Sequence, residues 1–271
     1  MLDLWQLIVL AVIQGLTEFI PVSSSAHLIL PSRLLGWPDQ GPLIDVMAHF
    51  GSLFAVLIYF RDDVLGLFEG AAEWLRGGRG ANARLALNLA VATPPALLLA
   101  ALMAATGLDQ AVRSAAVIAA TTIVFGIALW LADLLGRRTR RLDQLGWRGA
   151  ALLGLAQALA LVPGTSRSGI TMTAALSMGF TRVEAARFSM LMSIPVIAAG
   201  GLYSLLKLSG SRLDGAGTAT LADGLAVAGL SFAAAWLAIA LFMRWVPRIG
   251  MLPFMLYRLG LGAVLLHLLL L

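Results

Sequence analysis

Six apolar stretches of this chain are long enough to cross a lipid bilayer, and they limit its fold more than any other feature. A span needs about 18 or more apolar residues, because the hydrocarbon core is roughly 30 Å thick. The composition agrees, since 60% of the 271 residues are hydrophobic and only 12% are charged. The sequence therefore predicts an all-α polytopic membrane protein. The six spans lie at about 43–60, 85–105, 112–135, 187–207, 221–243 and 251–271. Prolines inside two of them predict kinks there.

Two further apolar stretches are too short to span. Leu2–Ile13 and residues 149–162 each lead into a polar segment that contains proline, and a second short apolar piece follows, at 28–35 and 170–180. Polar, irregular backbone at membrane depth is tolerated only where protein or a water-filled cavity surrounds it. We therefore expect two re-entrant helix–loop–helix hairpins. The alternative, that each segment is one kinked spanning helix, stays open.

The arginines of the loops predict the orientation of the spans. Three arginines between 76 and 84 precede one pair of spans and five between 137 and 148 follow it, whereas the link 106–110 has no basic residue. Because basic loops are retained in the cytoplasm, we expect the 106–110 turn and both termini in the periplasm. The first hairpin then enters from the periplasm and the second from the cytoplasm. Lys207 and Arg212 fall on the predicted periplasmic side and disagree with this pattern.

Composition also argues against nucleic acid as a partner and against sites built from cysteine. The net charge of +5 could favour nucleic acid, but the arginines lie in short loops between spans, where they report orientation. The chain has no cysteine, so it has neither a disulfide framework nor thiolate ligands for a metal. We expect the lipid bilayer, and not nucleic acid, to surround and contact this protein.

The predicted order of elements is a hairpin followed by three spans, twice. Since three is odd, the second copy, about 149–271, must be inverted relative to the first, about 1–135, within a single membrane domain. Weak sequence symmetry agrees, because Pro21–Ser25 is similar to Pro163–Arg167. Inverted repeats with broken helices that meet near the midplane are common among transporters. The predicted fold is therefore also compatible with transport.

The first hairpin contains the densest polar cluster of the sequence. Gln14 and Glu18 are four residues apart and share a helical face. A carboxylate at membrane depth costs on the order of several kcal/mol unless it is paired, solvated or bound to a cation, so Glu18 is a functional candidate. The triplet Ser23–Ser25 could merely cap a helix, but hydroxyls and N–H groups at a helix N-terminus also form an anion site. His27 follows three residues after Ser24, where it could activate that hydroxyl.

Arg167 is the charged residue of the second hairpin and is flanked by serines. Its planar guanidinium matches phosphate oxygens, and its burial without an anion would be costly. We expect a phosphate as its partner, with a Glu18 ion pair in the resting state. Three other titratable residues are weaker candidates, of which the last is expected to be inert: Asp45, His49 and His267.

These segments resemble a known family. Gln14-Gly-Leu-Thr-Glu18-Phe-Ile-Pro-Val-Ser-Ser-Ser-Ala-His27 is similar to the first signature of the undecaprenyl-diphosphate phosphatase family of the bacitracin-resistance type. Pro163-Gly-Thr-Ser-Arg167-Ser-Gly169 is similar to its second. The resemblance covers essentially the whole chain. It implies hydrolysis of undecaprenyl diphosphate to undecaprenyl phosphate and inorganic phosphate on the periplasmic side of the bacterial inner membrane. That reaction recycles the lipid carrier for cell-wall synthesis and confers bacitracin resistance.

The resemblance also implies site residues and a cofactor. Four residues would be catalytic: Glu18, Ser24, His27 and Arg167. Five would contact the substrate: Gln14, Ser23, Ser25, Thr165 and Ser166. The family depends on a divalent cation, Mg²⁺ or Ca²⁺, and Glu18 is the implied ligand. Here the first signature position is Gln14 and not glutamate, so a second carboxylate ligand is missing at that position.

On this basis we expect Ser24 to attack the terminal phosphorus while His27 takes its proton, and the phosphoserine then to be hydrolysed. Attack by His27 itself, or by water, stays open. The alternative function is a polyprenyl-phosphate flippase or transporter with the same inverted-repeat fold, which would not need a hydroxyl beside an imidazole. The sequence leaves open whether the chain forms a homo-oligomer.

Overall fold

The computed structural model describes residues 3–38, 40–108, 112, 114–210 and 220–270, and within them the chain forms helices and no strand. The helices are α1 (Leu4–Glu18), α2 (Ser24–Leu35), α3 (Gly41–Tyr59), α4 (Arg61–Leu75), α5 (Ala81–Ala92), α6 (Pro94–Thr106), α7 (Ala115–Leu135), α8 (Trp147–Leu159), α9 (Arg167–Ser177), α10 (Arg182–Gly210), α11 (Leu221–Ile249) and α12 (Leu252–Leu270). The expectations for Arg212, for residues 109 and 110 of the predicted periplasmic turn, and for positions 113 and 271 of the predicted spans lie outside the described residues.

All six predicted spans are confirmed as helices long and apolar enough to cross a membrane. They are α3, the pair α5–α6, α7, α10, α11 and α12. Residues Pro94 and Pro95 separate α5 from α6 at Thr93, because proline has no N–H to donate to the preceding turn. In contrast, α10 is continuous through Pro195.

One helix, α4, is not predicted by a search for spans, because it carries several acidic residues. It packs on α5, where a Cβ at Gly70 would lie 2.2 Å from the carbonyl oxygen of Asn82, so glycine is required for this approach. The carboxylate of Asp63 pairs with the guanidinium of Arg187 in α10. The opposite face of α4 exposes large apolar side chains. The helix is therefore amphipathic and is fixed on one side by two spanning helices.

The pairs α1–α2 and α8–α9 are the first and the second broken helix. Each consists of two short helices that are separated by a loop of irregular backbone. The first loop comprises residues 19–23 and the second comprises residues 160–166. The four helices have 15, 12, 13 and 11 residues, and at roughly 1.5 Å per residue each is shorter than the roughly 30 Å of the hydrocarbon core. The helices of each pair contact one another. Both interruptions therefore fall where the polar segments predict them.

Each loop contacts the first turn of the helix that follows the other loop. The N–H of Gly164 in the second loop donates to Ser25 Oγ at 3.1 Å. In return, Ser168 Oγ donates to the carbonyl of Ile20 in the first loop at 3.1 Å. These reciprocal hydrogen bonds join the ends of both broken helices in the interior of the protein.

The loops correspond to each other in backbone conformation. Ser23 and Ser166, which immediately precede α2 and α9, have φ of 72° and 67°, a region that non-glycine residues seldom adopt. The hydroxyls of Ser23 and Ser25 are 3.2 Å apart, as are those of Ser166 and Ser168. Ser23 thus matches Ser166, and not Thr165 as the sequence symmetry indicates. The second loop has one more residue between its proline and its last serine than the first loop has. The structural correspondence is therefore shifted by one residue from the sequence correspondence.

Close helix packing fixes the first broken helix. A Cβ at Gly51 of α3 would lie 2.1 Å from the carbonyl oxygen of Ala228, and one at Gly15 of α1 would lie 2.5 Å from that of Ser231. Only glycine permits α1 and α3 to approach α11 this closely. The second broken helix is held separately, because α9 packs on α7 and α10. The two loops therefore meet on separately supported elements.

Candidate active site

A polar cavity of about 170 Å³ lies where the two loops meet. This is far more than the roughly 10–15 Å³ needed by one water molecule. Both broken helices contribute to it, together with one residue of α3. Its lining consists of Glu18, Ser23, Ser24, Ser25, His49, Ala160, Ser166 and Arg167. Residues that are distant in sequence therefore share one polar space inside an apolar protein.

Glu18, the last residue of α1, is the centre of the hydrogen bonding in this cavity. Its Oε1 accepts from Arg167 Nη2 at 2.9 Å. Its Oε2 accepts from Gln14 Nε2 at 2.8 Å and from Ser24 Oγ at 3.1 Å. The Glu18 and Arg167 side chains are only 9% and 13% exposed, so each charge depends on the other for neutralisation. The ion pair expected for the resting state is confirmed.

Arg167, the first residue of α9, has hydrogen-bonding capacity that the protein does not use. Its Nη1 is buried and has no hydrogen-bond partner among the described residues. A buried donor without a partner costs about 1–3 kcal/mol. Such an atom beside a polar cavity is positioned to bind an anion that enters. A guanidinium that already pairs through one nitrogen can receive a phosphate oxygen on the other.

Two helix N-termini open on the cavity. Ser24 begins α2 and Arg167 begins α9, and the first N–H groups of a helix carry partial positive charge. The Oγ of Ser166 caps one of them by accepting from the N–H of Gly169 at 3.2 Å. Ser23 has no such cap bond. Together with the hydroxyls, these groups form an environment that favours phosphate oxygens.

His27 does not contact Ser24 as expected. Its Nδ1 donates to the carbonyl of Ser23 at 2.7 Å, and its Nε2 accepts from the hydroxyl of Tyr257 at 2.6 Å. The two rings stack with centroids 5.5 Å apart. Residues three apart share a helix face, but both nitrogens of this ring are already used, and Ser24 bonds to Glu18 instead. The expected hydroxyl–imidazole pair is therefore wrong for this structure.

Two predicted substrate contacts have other partners. Ser25 lines the cavity, but its Oγ accepts the N–H of Gly164. Thr165 is fully buried and is not among the lining residues. Its carbonyl accepts from Arg258, while its Oγ1 has no hydrogen-bond partner among the described residues. Ser25 thus lies at the contact between the two broken helices, and the contact of Thr165 with the substrate stays a prediction.

His49, a weaker candidate in sequence, lies in the cavity wall. Its Nδ1 donates to the carbonyl of Asp45, one helical turn earlier, at 2.7 Å. Its Nε2 is 4.0 Å from Glu18 Oε2. It also lines an adjacent cavity with Gln14. Of the two histidines near the loops, His49 is the one whose ring lines the polar cavity.

Tyr257 and Arg258 are the residues that sequence reasoning missed. Both are in α12, in a stretch that reads as an ordinary apolar span. Tyr257 contacts His27, and Arg258 contacts both loops. A signal was present, because a single arginine inside an apolar span is costly and therefore marks a specific role.

A divalent cation fits this site only with help from the substrate. Among the described residues no group of three or more histidine, aspartate or glutamate side chains converges as a metal site. Hard cations prefer six or more oxygen ligands. Glu18 and the serine hydroxyls offer oxygens, and Gln14 Oε1 is buried with no hydrogen-bond partner. This donor set fits a cation that also binds phosphate oxygens, and it does not form an all-protein cage.

Comparison with known proteins supports the motif reading. Residues 7–264 match the family model described as bacitracin resistance protein BacA. An undecaprenyl-diphosphatase of Maricaulis maris (strain MCS10) is 56% identical over 266 residues, which is 98% of each chain. Proteins of the same name from Chromohalobacter salexigens and Alcanivorax borkumensis are 51% and 49% identical over the same length and share. The family model and these relatives span nearly the whole sequence, so the chain belongs to the bacitracin resistance protein BacA family.

Proposed function

We propose that this chain is a membrane phosphatase that hydrolyses undecaprenyl diphosphate to undecaprenyl phosphate and inorganic phosphate. One observation carries the proposal: Arg167, whose buried Nη1 has no partner among the described residues, lines the same cavity as Ser24, and both side chains bond to Glu18. The name shared by the similar proteins supports the same reaction and substrate.

The polar cavity is suited to the diphosphate and not to the prenyl chain. Its volume of about 170 Å³ admits a few polar groups, while the surrounding helices expose apolar side chains toward lipid. The terminal phosphoryl would bind Arg167 Nη1, the N-terminal N–H groups of α2 and α9, and the hydroxyl of Ser166. The prenyl chain stays between the spans in the hydrocarbon region.

The phosphoryl group and Glu18 would share the charge of Arg167, the first through Nη1 and the second through Nη2. As phosphate oxygens bind Nη1, the guanidinium stabilises the charge of the Glu18 carboxylate less, and the carboxylate becomes a better proton acceptor. Glu18 Oε2 already accepts from Ser24 Oγ at 3.1 Å, so it is placed to receive the serine proton. The substrate thus converts a structural carboxylate into a proton acceptor.

In the first step, Ser24 Oγ forms a bond to the terminal phosphorus while the bond from that phosphorus to the bridging oxygen breaks. The bridging oxygen leaves with the electron pair as part of the lipid monophosphate, and the hydroxyl proton passes to Glu18. Water then attacks the phosphoserine, and Ser24 leaves and recovers its proton. Arg167 and the helix N-termini stabilise charge on the equatorial oxygens in both steps.

His27 and a divalent cation would support this reaction. His27, with both nitrogens engaged, holds the carbonyl of Ser23 and with it the start of α2. A divalent cation held by Glu18, Gln14 and the diphosphate would neutralise charge and ease departure of the lipid monophosphate.

We place the reaction on the periplasmic side of the bacterial inner membrane. The two broken helices would be re-entrant hairpins of an inverted repeat, with copies at about 1–135 and 149–271. Matching backbone at Ser23 and Ser166 supports this arrangement, as does the distribution of arginines among the loops. In this setting the product returns to cell-wall synthesis, and high activity protects against bacitracin.

The test is phosphate release by the purified protein in detergent, with a polyprenyl diphosphate and Mg²⁺ or Ca²⁺. We expect turnover by the wild type and a loss of roughly 10³-fold or more for Ser24→Ala. For Arg167→Lys we expect a loss of about 10²- to 10³-fold. Ser32→Ala, an exposed serine of the same helix α2, is the matched control and should retain full activity.

Two outcomes would redirect the proposal. Near-full turnover by Ser24→Ala would eliminate the covalent serine and leave direct attack by water. No phosphate release by the wild type with either cation would make lipid transport the better function, which proteoliposomes containing a labelled polyprenyl phosphate would then measure.

A further inference from the structure

Arg258 is the largest side chain that is fully buried in the described part of the protein. It lies in the middle of α12, a predicted span. None of the ion pairs formed by the described residues includes Arg258. A guanidinium at this depth is costly unless its N–H groups find strong acceptors. Its position therefore requires an explanation that the phosphatase site alone does not give.

Backbone carbonyls supply all the hydrogen bonds of this guanidinium. Nε donates to the carbonyl of Thr122 in α7 at 2.9 Å. Nη2 donates to those of Gly164 and Thr165 in the second loop, each at 3.0 Å. Longer contacts reach Thr121 at 3.3 Å and Pro21 in the first loop, from Nη1, at 3.5 Å. One side chain therefore joins both loops and a spanning helix.

The loop carbonyls of Pro21, Gly164 and Thr165 need a donor from outside their own segments. Irregular backbone leaves carbonyls without intrahelical donors, and at membrane depth water does not replace them. The planar fork of arginine presents five N–H groups in fixed directions, which lysine does not. The requirement is thus for the geometry of the guanidinium as well as for its charge.

The contacts of Arg258 adjoin the residues that line the polar cavity. Thr165 directly precedes Ser166 and Arg167. In a trans peptide the carbonyl and the following N–H point in opposite directions, so fixing the Thr165 carbonyl also fixes the direction of the Ser166 N–H. The first turn of α9 rests on the guanidinium as well, since a Cβ at Gly169 would lie 2.8 Å from Arg258 Nη1.

We propose that Arg258 is a positioning residue of the phosphatase, which holds the two loops in the relative placement that brings Ser24 and Glu18 to Arg167. The inference rests on the proposed function, because it concerns the same cavity. Arg258 acts through backbone carbonyls and does not touch the phosphoryl group.

The proposal predicts a loss in turnover and not in binding. A displacement of reacting groups by about 1 Å can lower the rate roughly 10²-fold. We expect Arg258→Gln and Arg258→Lys to lower kcat by about that factor, while KM for the polyprenyl diphosphate changes less than about threefold. Arg244→Gln, which removes an exposed arginine of the neighbouring helix α11, is the matched control and should keep the wild-type kcat.

A double-mutant cycle separates positioning from a general effect on folding. If Arg258 acts by placing Ser24, its replacement should cost much less in a Ser24→Ala background, where the remaining slow hydrolysis does not use that hydroxyl. A loss of folded protein would instead lower both backgrounds by the same factor. Size-exclusion chromatography of each variant gives the folded fraction by which the rates are divided.

The experiment distinguishes failure of the positioning role of Arg258 from failure of the proposed phosphatase function. An inactive wild type would contradict the phosphatase itself, whereas an active wild type with an equally active Arg258→Gln would overturn the positioning role. Equal losses in both backgrounds would also overturn it. If Arg258→Gln does not fold, Arg258→Lys is judged by the same criteria. Should neither variant fold, the residue serves the stability of the fold alone, and the proposal fails.

Discussion

Three side chains surround the carboxylate of Glu18, and they come from different parts of the chain. Gln14 lies one turn earlier in α1, Ser24 begins α2, and Arg167 begins α9. A buried charge is tolerated when it is both paired and hydrogen-bonded, and Glu18 meets both conditions. The same three contacts connect the proposed phosphate-binding group, Arg167, to the proposed nucleophile, Ser24, through one residue, so we expect removal of the Glu18 charge to affect stability and chemistry together.

Glu18→Gln should therefore leave Arg167 buried without an anion. Breaking such a pair on one side typically costs about 3–5 kcal/mol, so we expect a lower thermal unfolding temperature. Inorganic phosphate should restore more stability to this variant than to the wild type, because it supplies the missing anion. Unfolding temperatures measured with and without phosphate test this. A variant that does not respond to phosphate would contradict the placement of an anion at Arg167.

His27 and Tyr257 form a second residue-scale test. If His27 supports the backbone of Ser23 and does not take the proton of Ser24, Tyr257→Phe loses one hydrogen bond, worth about 1 kcal/mol. We expect a loss in kcat of less than about tenfold for Tyr257→Phe and for His27→Gln, whose amide can still donate. Steady-state kinetics of both variants, measured in parallel with Ser24→Ala, test this prediction. A loss for His27→Gln as large as that for Ser24→Ala would return His27 to the role of base.

At the scale of elements, the two loops depend on backbone conformations that few residues adopt. Gly164 has φ of 88° and packs against α7, where its absent side chain makes room for Thr121. The carbonyls of Pro163 and Gly164 accept from the hydroxyls of Thr121 and Thr122 at 2.6 and 3.3 Å. The second loop is therefore held from two sides, by α7 and by Arg258 in α12.

Gly164→Ala should be among the most damaging single-methyl changes in the protein. The added Cβ would lie 2.1 Å from Thr121 Oγ1 and 2.4 Å from the carbonyl oxygen of Ile118, and its backbone conformation is disfavoured for alanine. We expect the unfolding temperature to fall and phosphate release to be lost. Gly200→Ala in α10, with nothing within 4 Å of the new methyl group, is the control and should be neutral or slightly stabilising.

The sequence predicts both interruptions but not their register. Proline and runs of serine indicate where α1 and α8 end, because these residues disfavour a continuous helix. They do not tell which serine takes the unusual backbone conformation, since that depends on contact between two loops far apart in sequence. The sequence symmetry therefore pairs Ser23 with Thr165, whereas the structure pairs it with Ser166, one residue later.

At the scale of the whole molecule, six spans follow from hydrophobicity, because segment length and apolar content are local properties. Tertiary partners are not local. The Glu18–Arg167 pair could be predicted because both residues stand out in polar motifs. The partners of Arg258 could not, because they are backbone carbonyls and no side chain of opposite charge indicates them. A search for spans does not find helix α4 for a related reason, since it is held by packing on α5 and by the pairing of Asp63 with Arg187 in α10.

The predicted orientation can be tested without background labelling, because the chain has no cysteine. We expect a membrane-impermeant maleimide added from the periplasmic side to label a Ser114→Cys variant, at the start of α7. An Asp143→Cys variant, in the arginine-rich loop, should react only after the membrane is opened. The reverse pattern would show that the loops face the other way and would move the proposed reaction to the cytoplasmic side.

The distance along the chain between Glu18 and Arg167, 149 residues, has a consequence for biosynthesis. A ribosome delivers the acidic residue to the bilayer long before it makes either arginine that completes the loops. The nascent first half therefore carries an unneutralised acid group until the second broken helix has been inserted. Chains that terminate before residue 167 lack the arginine that pairs with Glu18, so the polar site is assembled only when both halves of the chain are present.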